Sequence, residues 1–154
     1  MILAAAHLGS WELCGLYSAI RHPISSLYRP PRLEALDVIM RAGRENTGAR
    51  LIPTDARGIR SLIQALNGGQ CVGIPPDQVP NVGNGVYAPF FGIDAYTMML
   101  ITRLAVKRRT PVIFTYARRL RGGGYHIHYH GAPSQIFDPN PVIAATALNQ
   151  VLKI

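Results

Sequence analysis

Acidic residues are scarce: 8 Asp plus Glu stand against 16 Lys plus Arg, for a net charge of +8. That imbalance disfavours a basic partner. Because most of the cations are Arg, it favours phosphate, carboxylate or other oxyanion partners. Cysteine is nearly absent. Cys14 and Cys71, each in an apolar setting, cannot build a disulfide framework and read as reduced, buried thiols. Long apolar runs are missing too, since nothing approaches the roughly 18 uninterrupted apolar residues of a membrane span. Met1 is followed at once by a strand pattern, without the basic stretch that opens a signal peptide. What remains is 48% hydrophobic and 16% charged over 154 residues, the profile of one globular domain, 1–154, with a real core. The chain opens inside a strand pattern and closes on an uncapped apolar helix pattern from Ala144 to Ile154, so both ends are expected to be cut.

Strand and helix patterns alternate along the chain. Residues 2–6 predict a strand and 10–22 a helix that ends before Pro23. Ile24 to Tyr28 reads as a strand leading into the stiff basic loop Arg29-Pro30-Pro31-Arg32. Leu33, Leu36, Ile39 and Met40 recur at helical spacing, Arg50 to Pro53 is a short strand, and Asp55 is placed to cap a helix through Leu66. Cys71 to Ile74 is a buried strand ending at Pro75-Pro76-Asp77-Gln78. A loop to Gly92 and a helix from Thr97 to Arg109 are expected next. Val112 to Ala117 and Tyr125 to Tyr129 then pair across Gly122-Gly123-Gly124. The order predicts an α/β fold, a mostly parallel sheet flanked by helices, with a C-terminal antiparallel hairpin. Sites in such sheets lie outside the carboxyl ends of the strands, and His7, Arg29 and Asp77 all fall just past predicted strand ends.

The stretch His7-Leu8-Gly9-Ser10-Trp11-Glu12 carries the most chemistry. On one continuous helix, residues five apart point about 140° away from each other. A strand-turn-helix junction, with Gly9 supplying the turn and Ser10 the N-cap, lets His7 and Glu12 converge instead. Glu12 in the first helical turn would hold the His7 ring in one tautomer and stabilise the imidazolium formed when His7 takes a proton. That is a general base with its orienting carboxylate, and it needs no protein nucleophile if the substrate brings a hydroxyl. Asp77 and Gln78 either brace such a site or cap the following loop. Among Arg29, Arg32, Arg41, Arg44, Arg57 and Arg60, one guanidinium is wanted for a developing oxyanion, and the helix dipole alone accounts for most of the others. His126, His128 and His130 share one strand face at a spacing that suits zinc, yet alternation with inward Ile127 and Tyr129 explains the same pattern. No metal is expected there. The basic charge alone suggests nucleic acid, but the aromatic residues sit in apolar strands and loops, not interleaved with a basic stripe. No nucleic-acid partner is expected.

Taken in order, His7-x4-Glu12, Tyr28-Arg29-Pro30-Pro31, Gly43-Arg44-Glu45, Pro75-Pro76-Asp77-Gln78 and Pro89-Phe90-Phe91-Gly92 resemble the late acyltransferases of lipid A biosynthesis, the lauroyl/myristoyl transferase family. The resemblance covers nearly the whole chain and the central part of a family member. It implies transfer of a fatty acyl group from an acyl carrier protein thioester to a hydroxyl of a lipid A precursor, without cofactor. It also implies a membrane-surface location on the cytoplasmic face of the bacterial inner membrane. His7 would be the base and Glu12 its partner. By position Arg44 matches the family's site arginine, given the oxyanion role, and Asp77 its site aspartate. Arg29, Arg32 and Gln78 are the expected substrate-binding residues. Two alternatives stand beside it: an acyltransferase of the phosphatidylinositol mannoside type, and a non-catalytic basic binding module or remnant.

Overall fold

The computed structural model describes residues 1–153. Six strands form one sheet in the order β3-β2-β4-β1-β7-β8, where β1 is Ile2–Gly9, β2 Ile24–Tyr28, β3 Arg50–Pro53, β4 Cys71–Gly73, β7 Val112–Arg119 and β8 Tyr125–Gly131. The first five of that order run parallel and β8 closes the edge antiparallel to β7. The mostly parallel sheet and its C-terminal hairpin are those read from the sequence. Near-continuous apolar runs such as Ile2-Leu3-Ala4 are buried because helices cover both faces.

Alternate residues divide between two cores. Ile2, Ala4, Val72, Val112 and Phe114 face helices α3 (Ala56–Asn67), α4 (Leu100–Arg108) and α5 (Pro141–Val151). Leu3, Ile24 and Cys71 face the other way, against Ala19 of α1 (Glu12–Arg21). Helix α2 (Glu34–Glu45) lies on that second side, yet none of its residues is buried. The Asp55 side chain caps α3 as expected, accepting from Gly58 N at 2.7 Å. Gly58 is there for a close approach, because a Cβ would fall 1.8 Å from the Pro53 carbonyl oxygen.

Two local expectations fail. Ser10 does not cap α1: the N-cap is Trp11, with no side-chain cap bond. Ser10 instead lies near Tyr125 of β8, whose phenol is lowered from its ordinary pKa by Ser10 and then by Arg119, which donates to it at 2.7 Å. The stretch expected as a loop and early helix is instead a second antiparallel pair, β5 (Gly85–Phe90) and β6 (Ile93–Met98), so Thr97 is a strand residue and α4 begins at Leu100. The turn between them is Phe91-Gly92, with φ of 50° and 84°. Two positive φ values are what a tight hairpin demands, and Asn-Gly usually supplies them. Phe-Gly hid the turn, and Pro89 argued against a strand at all.

Candidate active site

Strand register, more than helix geometry, assembles the site. Strands β1 and β4 are neighbours with Ile2 beside Val72 and Leu3 beside Gly73. Carried past the end of β4, the same offset sets His7, still within β1, beside Asp77. The Asp77 carboxylate grips His7 twice: Oδ2 accepts from the backbone N–H at 2.8 Å and Oδ1 pairs with ring Nδ1 at 2.9 Å. An acceptor-only carboxylate at Nδ1 requires the proton on that nitrogen, which leaves Nε2 with a free lone pair. The Trp11 ring, 4.6 Å away between centroids and tilted by 60°, packs beside the imidazole.

A break in β1 aims this histidine. Between Ala5 and Gly9 the strand takes four steps while β7 takes two, from Thr115 to Ala117. Such bulges re-aim side chains at sheet rims. Gly9 closes the irregularity at φ 57°, the turn expected of it.

Glu12, expected beside His7, is instead bonded elsewhere in this structure. Its carboxylate bonds to Arg44 Nη2, across from α1 to α2. The first turn of α1 points Glu12 over the α1–α2 cleft, whereas Asp77 arrives in the plane of the sheet and takes the ring. Arg44 also lies over two aromatic faces, 5.5 Å from the Trp11 centroid and 5.2 Å from that of Tyr28. Tyr28 is buried and donates to Asp37 Oδ1 at 2.7 Å, and Arg41 Nε donates to Asp37 Oδ2 at 3.1 Å. Burial, followed by the neighbouring Asp37, pushes the Tyr28 phenol up, against an opposing pull from Arg44 and Arg41.

These groups wall a cavity of about 300 Å³. His7, Glu12, Arg44, Arg29 and Gln78 stand in its lining, and behind them it runs inward over Leu3, Ile24, Met40 and Leu51. Asp77 touches the site through His7 and lines a separate cavity on the other side. Arg32 is exposed in the bend before α2 and is not part of either lining. Sequence reasoning missed Trp11, Tyr28 and Asp37. Tyr28 stood in a quoted motif, and its position at a strand end was the available signal.

The three strand histidines form a stack, not a chelate. His126 and His128 rings lie 4.2 Å apart, and Tyr116 lies parallel to His128 at 4.6 Å. Among the described residues, no group of three or more His, Cys, Asp or Glu is arranged to hold a metal ion. Tyr129 points to the opposite face, where its hydroxyl meets Ser18 Oγ at 3.3 Å. His128 Nε2 is buried and has no hydrogen-bond partner among the described residues. Loss of solvent, then the neighbouring His126, Arg118 and His130, lowers the His128 pKa from its ordinary 6.5. A lowered folded-state pKa means the unfolded chain binds the proton first. Stability is therefore complete above about pH 6.5 and falls as the pH drops from there toward the folded-state value. A thermal unfolding series across this range is expected to show Tm falling on acidification, with a shallower fall in His128→Phe. A Tm independent of pH would contradict the assignment.

The fold is α/β, with an imidazole tied to a carboxylate beside an apolar cavity at the carboxyl edge of a parallel sheet. The chain belongs to the bacterial lipid A biosynthesis acyltransferase family, whose model matches residues 1–154. It is 26% identical over 157 residues to a lipid A biosynthesis acyltransferase of Haemophilus influenzae, covering 99% of this chain and 50% of that protein. It is also 26% identical over 94 residues to the lipid A biosynthesis palmitoleoyltransferase of Escherichia coli, covering 61% of this chain and 30% of that protein. The chain thus spans half or less of the length of these relatives.

Proposed function

We propose that this chain carries the catalytic core of an enzyme that moves a fatty acyl group from an acyl carrier protein thioester to a hydroxyl of a lipid A precursor. The observation that carries the mechanism is the His7–Asp77 pair at the mouth of the apolar cavity. His7 Nε2 takes the proton of the acceptor hydroxyl as its oxygen attacks the thioester carbonyl carbon. The carbonyl oxygen becomes an oxyanion, and the Arg44 guanidinium in the cavity wall is the cation available to it. Collapse breaks the carbon–sulfur bond, and the proton held by His7 passes to the departing thiolate. The products are an ester and a thiol. Asp77 is a positioning residue for His7, and Glu12 one for Arg44. The fatty chain of the donor lies in the apolar interior of the cavity. The excess of basic residues suits both an acidic carrier protein and the phosphates of the acceptor. The reading is tested by supplying the intact protein with a labelled acyl carrier protein thioester and a lipid A precursor. Labelled, esterified lipid is the expected product, and an intact thioester with no labelled lipid would overturn it.

The membrane surface enters this reading through α2, whose exposed side carries apolar residues. Its charged residues Asp37, Arg41 and Arg44 face the protein and bond there, while Val38 and Ile39 are 68% and 70% exposed. Leu33, just before the helix, is 71% exposed as well, and Arg29 and Arg32 precede it in the same exposed segment. An apolar helix face flanked by arginine suits the interface of an anionic bilayer, on the cytoplasmic leaflet where the carrier protein resides. No helix among the described residues is long and apolar enough to cross a membrane. At about 1 kcal/mol for each basic residue near the surface, Arg29→Ala with Arg32→Ala is expected to weaken binding to phosphatidylglycerol vesicles about tenfold or more. Equal binding by the wild type to anionic and neutral vesicles would refute the docking role.

A further inference from the structure

His7 stands between two cavities, and it is the one described residue that lines both. The second, of about 290 Å³, opens on the opposite face of the sheet. Its walls are Ala6 and Leu8 of β1, Phe114 and Tyr116 of β7, and Phe90 and Phe91 of the hairpin, with Asp77 at the rim. Strict alternation assigns His7 to the first cavity, along with Leu3 and Ala5. The bulge after Ala5 is what brings it to the boundary of both.

The hairpin wall is fixed in place. Asn149 of α5, buried to 4% exposure, directs its amide Nδ2 at Thr97 Oγ1 at 2.8 Å and at the carbonyls of Ala88 and Pro89 at 3.3 and 3.4 Å. A buried amide with its donors engaged ties β5 and β6 to α5. The cavity is therefore built by packing and is not a gap beneath a loose loop.

Resting on the proposed acyl transfer, we infer that this second cavity is an acyl-chain site for the acceptor lipid, while the cavity walled by Arg44 takes the chain of the donor. The base must reach the attacking hydroxyl while that oxygen lies about 3–3.5 Å from the carbonyl carbon. Both reactants then meet at His7, and each brings an apolar chain that must leave the reaction centre in a different direction. Two apolar cavities that share only the base provide those directions. The assignment follows from charge: negative charge develops on the donor carbonyl, so the donor belongs on the side of Arg44. The acceptor belongs on the aromatic side, where no described lining residue is an Arg or Lys and the nearby Lys153 ammonium lies 5.7 Å from the Phe91 centroid.

The test uses a fluorescent long-chain fatty acid as the probe of chain sites in the intact protein, so that binding is read apart from turnover. The wild type is expected to bind two chains. Gly15→Leu, at a helix position where an added Cβ meets nothing within 4 Å and which lines the first cavity, should leave one. Ala6→Leu, which fills the second, should also leave one. Phe91 is 66% exposed, so Phe91→Asp is a variant that keeps the fold and should weaken the second site about tenfold. In turnover, Ala6→Leu and Phe91→Asp should raise KM for the acylated acceptor on the order of tenfold and KM for the donor by less than about twofold. One chain bound by the wild type, or an unchanged second site in both cavity variants, overturns the inference. Two chains bound with no transfer to lipid would instead count against the proposed reaction.

Discussion

Asp77→Asn is expected to abolish acyl transfer about as completely as His7→Ala, a loss on the order of 10²–10⁴ in rate. The reason is tautomeric. The two Asp77 oxygens accept from the His7 backbone N–H and from ring Nδ1. Asparagine has only one such oxygen. If that oxygen keeps the backbone N–H, the amide NH₂ faces Nδ1, which must then accept, and the ring proton moves to Nε2. The nitrogen meant to take the substrate proton would already carry one. If the amide flips, its NH₂ confronts the backbone N–H, and two donors face each other. Asp77→Ala removes the carboxylate without enforcing the wrong tautomer, so it should retain more activity than Asp77→Asn. That ordering separates a tautomer-setting role from a purely structural one. Far-ultraviolet circular dichroism of the variants should match the wild type, because both side chains sit at the exposed rim of the site. Wild-type turnover in Asp77→Asn would refute Asp77 as the positioning carboxylate, and wild-type turnover in His7→Ala would remove the base itself.

The pairing of His7 with Asp77 was half legible. Sequence alone put both residues past strand ends on one edge, because apolar runs terminated by Gly or Pro mark where parallel strands stop. It could not supply strand order. Only with β4 lying directly beside β1 does the offset between Leu3 and Gly73 bring Asp77 to His7. Glu12 looked the better partner because it was near in sequence, and proximity along the chain is the signal a sequence displays most plainly. The sheet overrides it. The hairpin at Phe91-Gly92 was illegible for a different reason: its turn uses an aromatic residue at positive φ, against the usual preference. The apolar residues on the exposed side of α2 were hidden as well. The helical period of Leu33, Leu36, Ile39 and Met40 was visible, but period alone does not say which face the protein keeps. Asp37, Arg41 and Arg44 are inward because Tyr28 and Glu12 offer them partners there.

The pairing of Glu12 with Arg44 leads to the second large expected effect, and a double-mutant cycle decides it. Arg44→Ala should lower kcat on the order of 10²–10³, as for loss of an oxyanion donor, with a smaller change in donor KM, because charge on the carbonyl oxygen peaks in the transition state. Glu12→Ala should also be severe, since it leaves Arg44 without the carboxylate that holds it between the Trp11 and Tyr28 rings. If Glu12 acts only by positioning Arg44, the double variant should be no worse than Arg44→Ala alone, and the two effects will be strongly non-additive. If Glu12 acted on His7, the effects would multiply, because base and oxyanion would be lost independently. Multiplicative losses would return Glu12 to the histidine and strip Arg44 of its positioning partner.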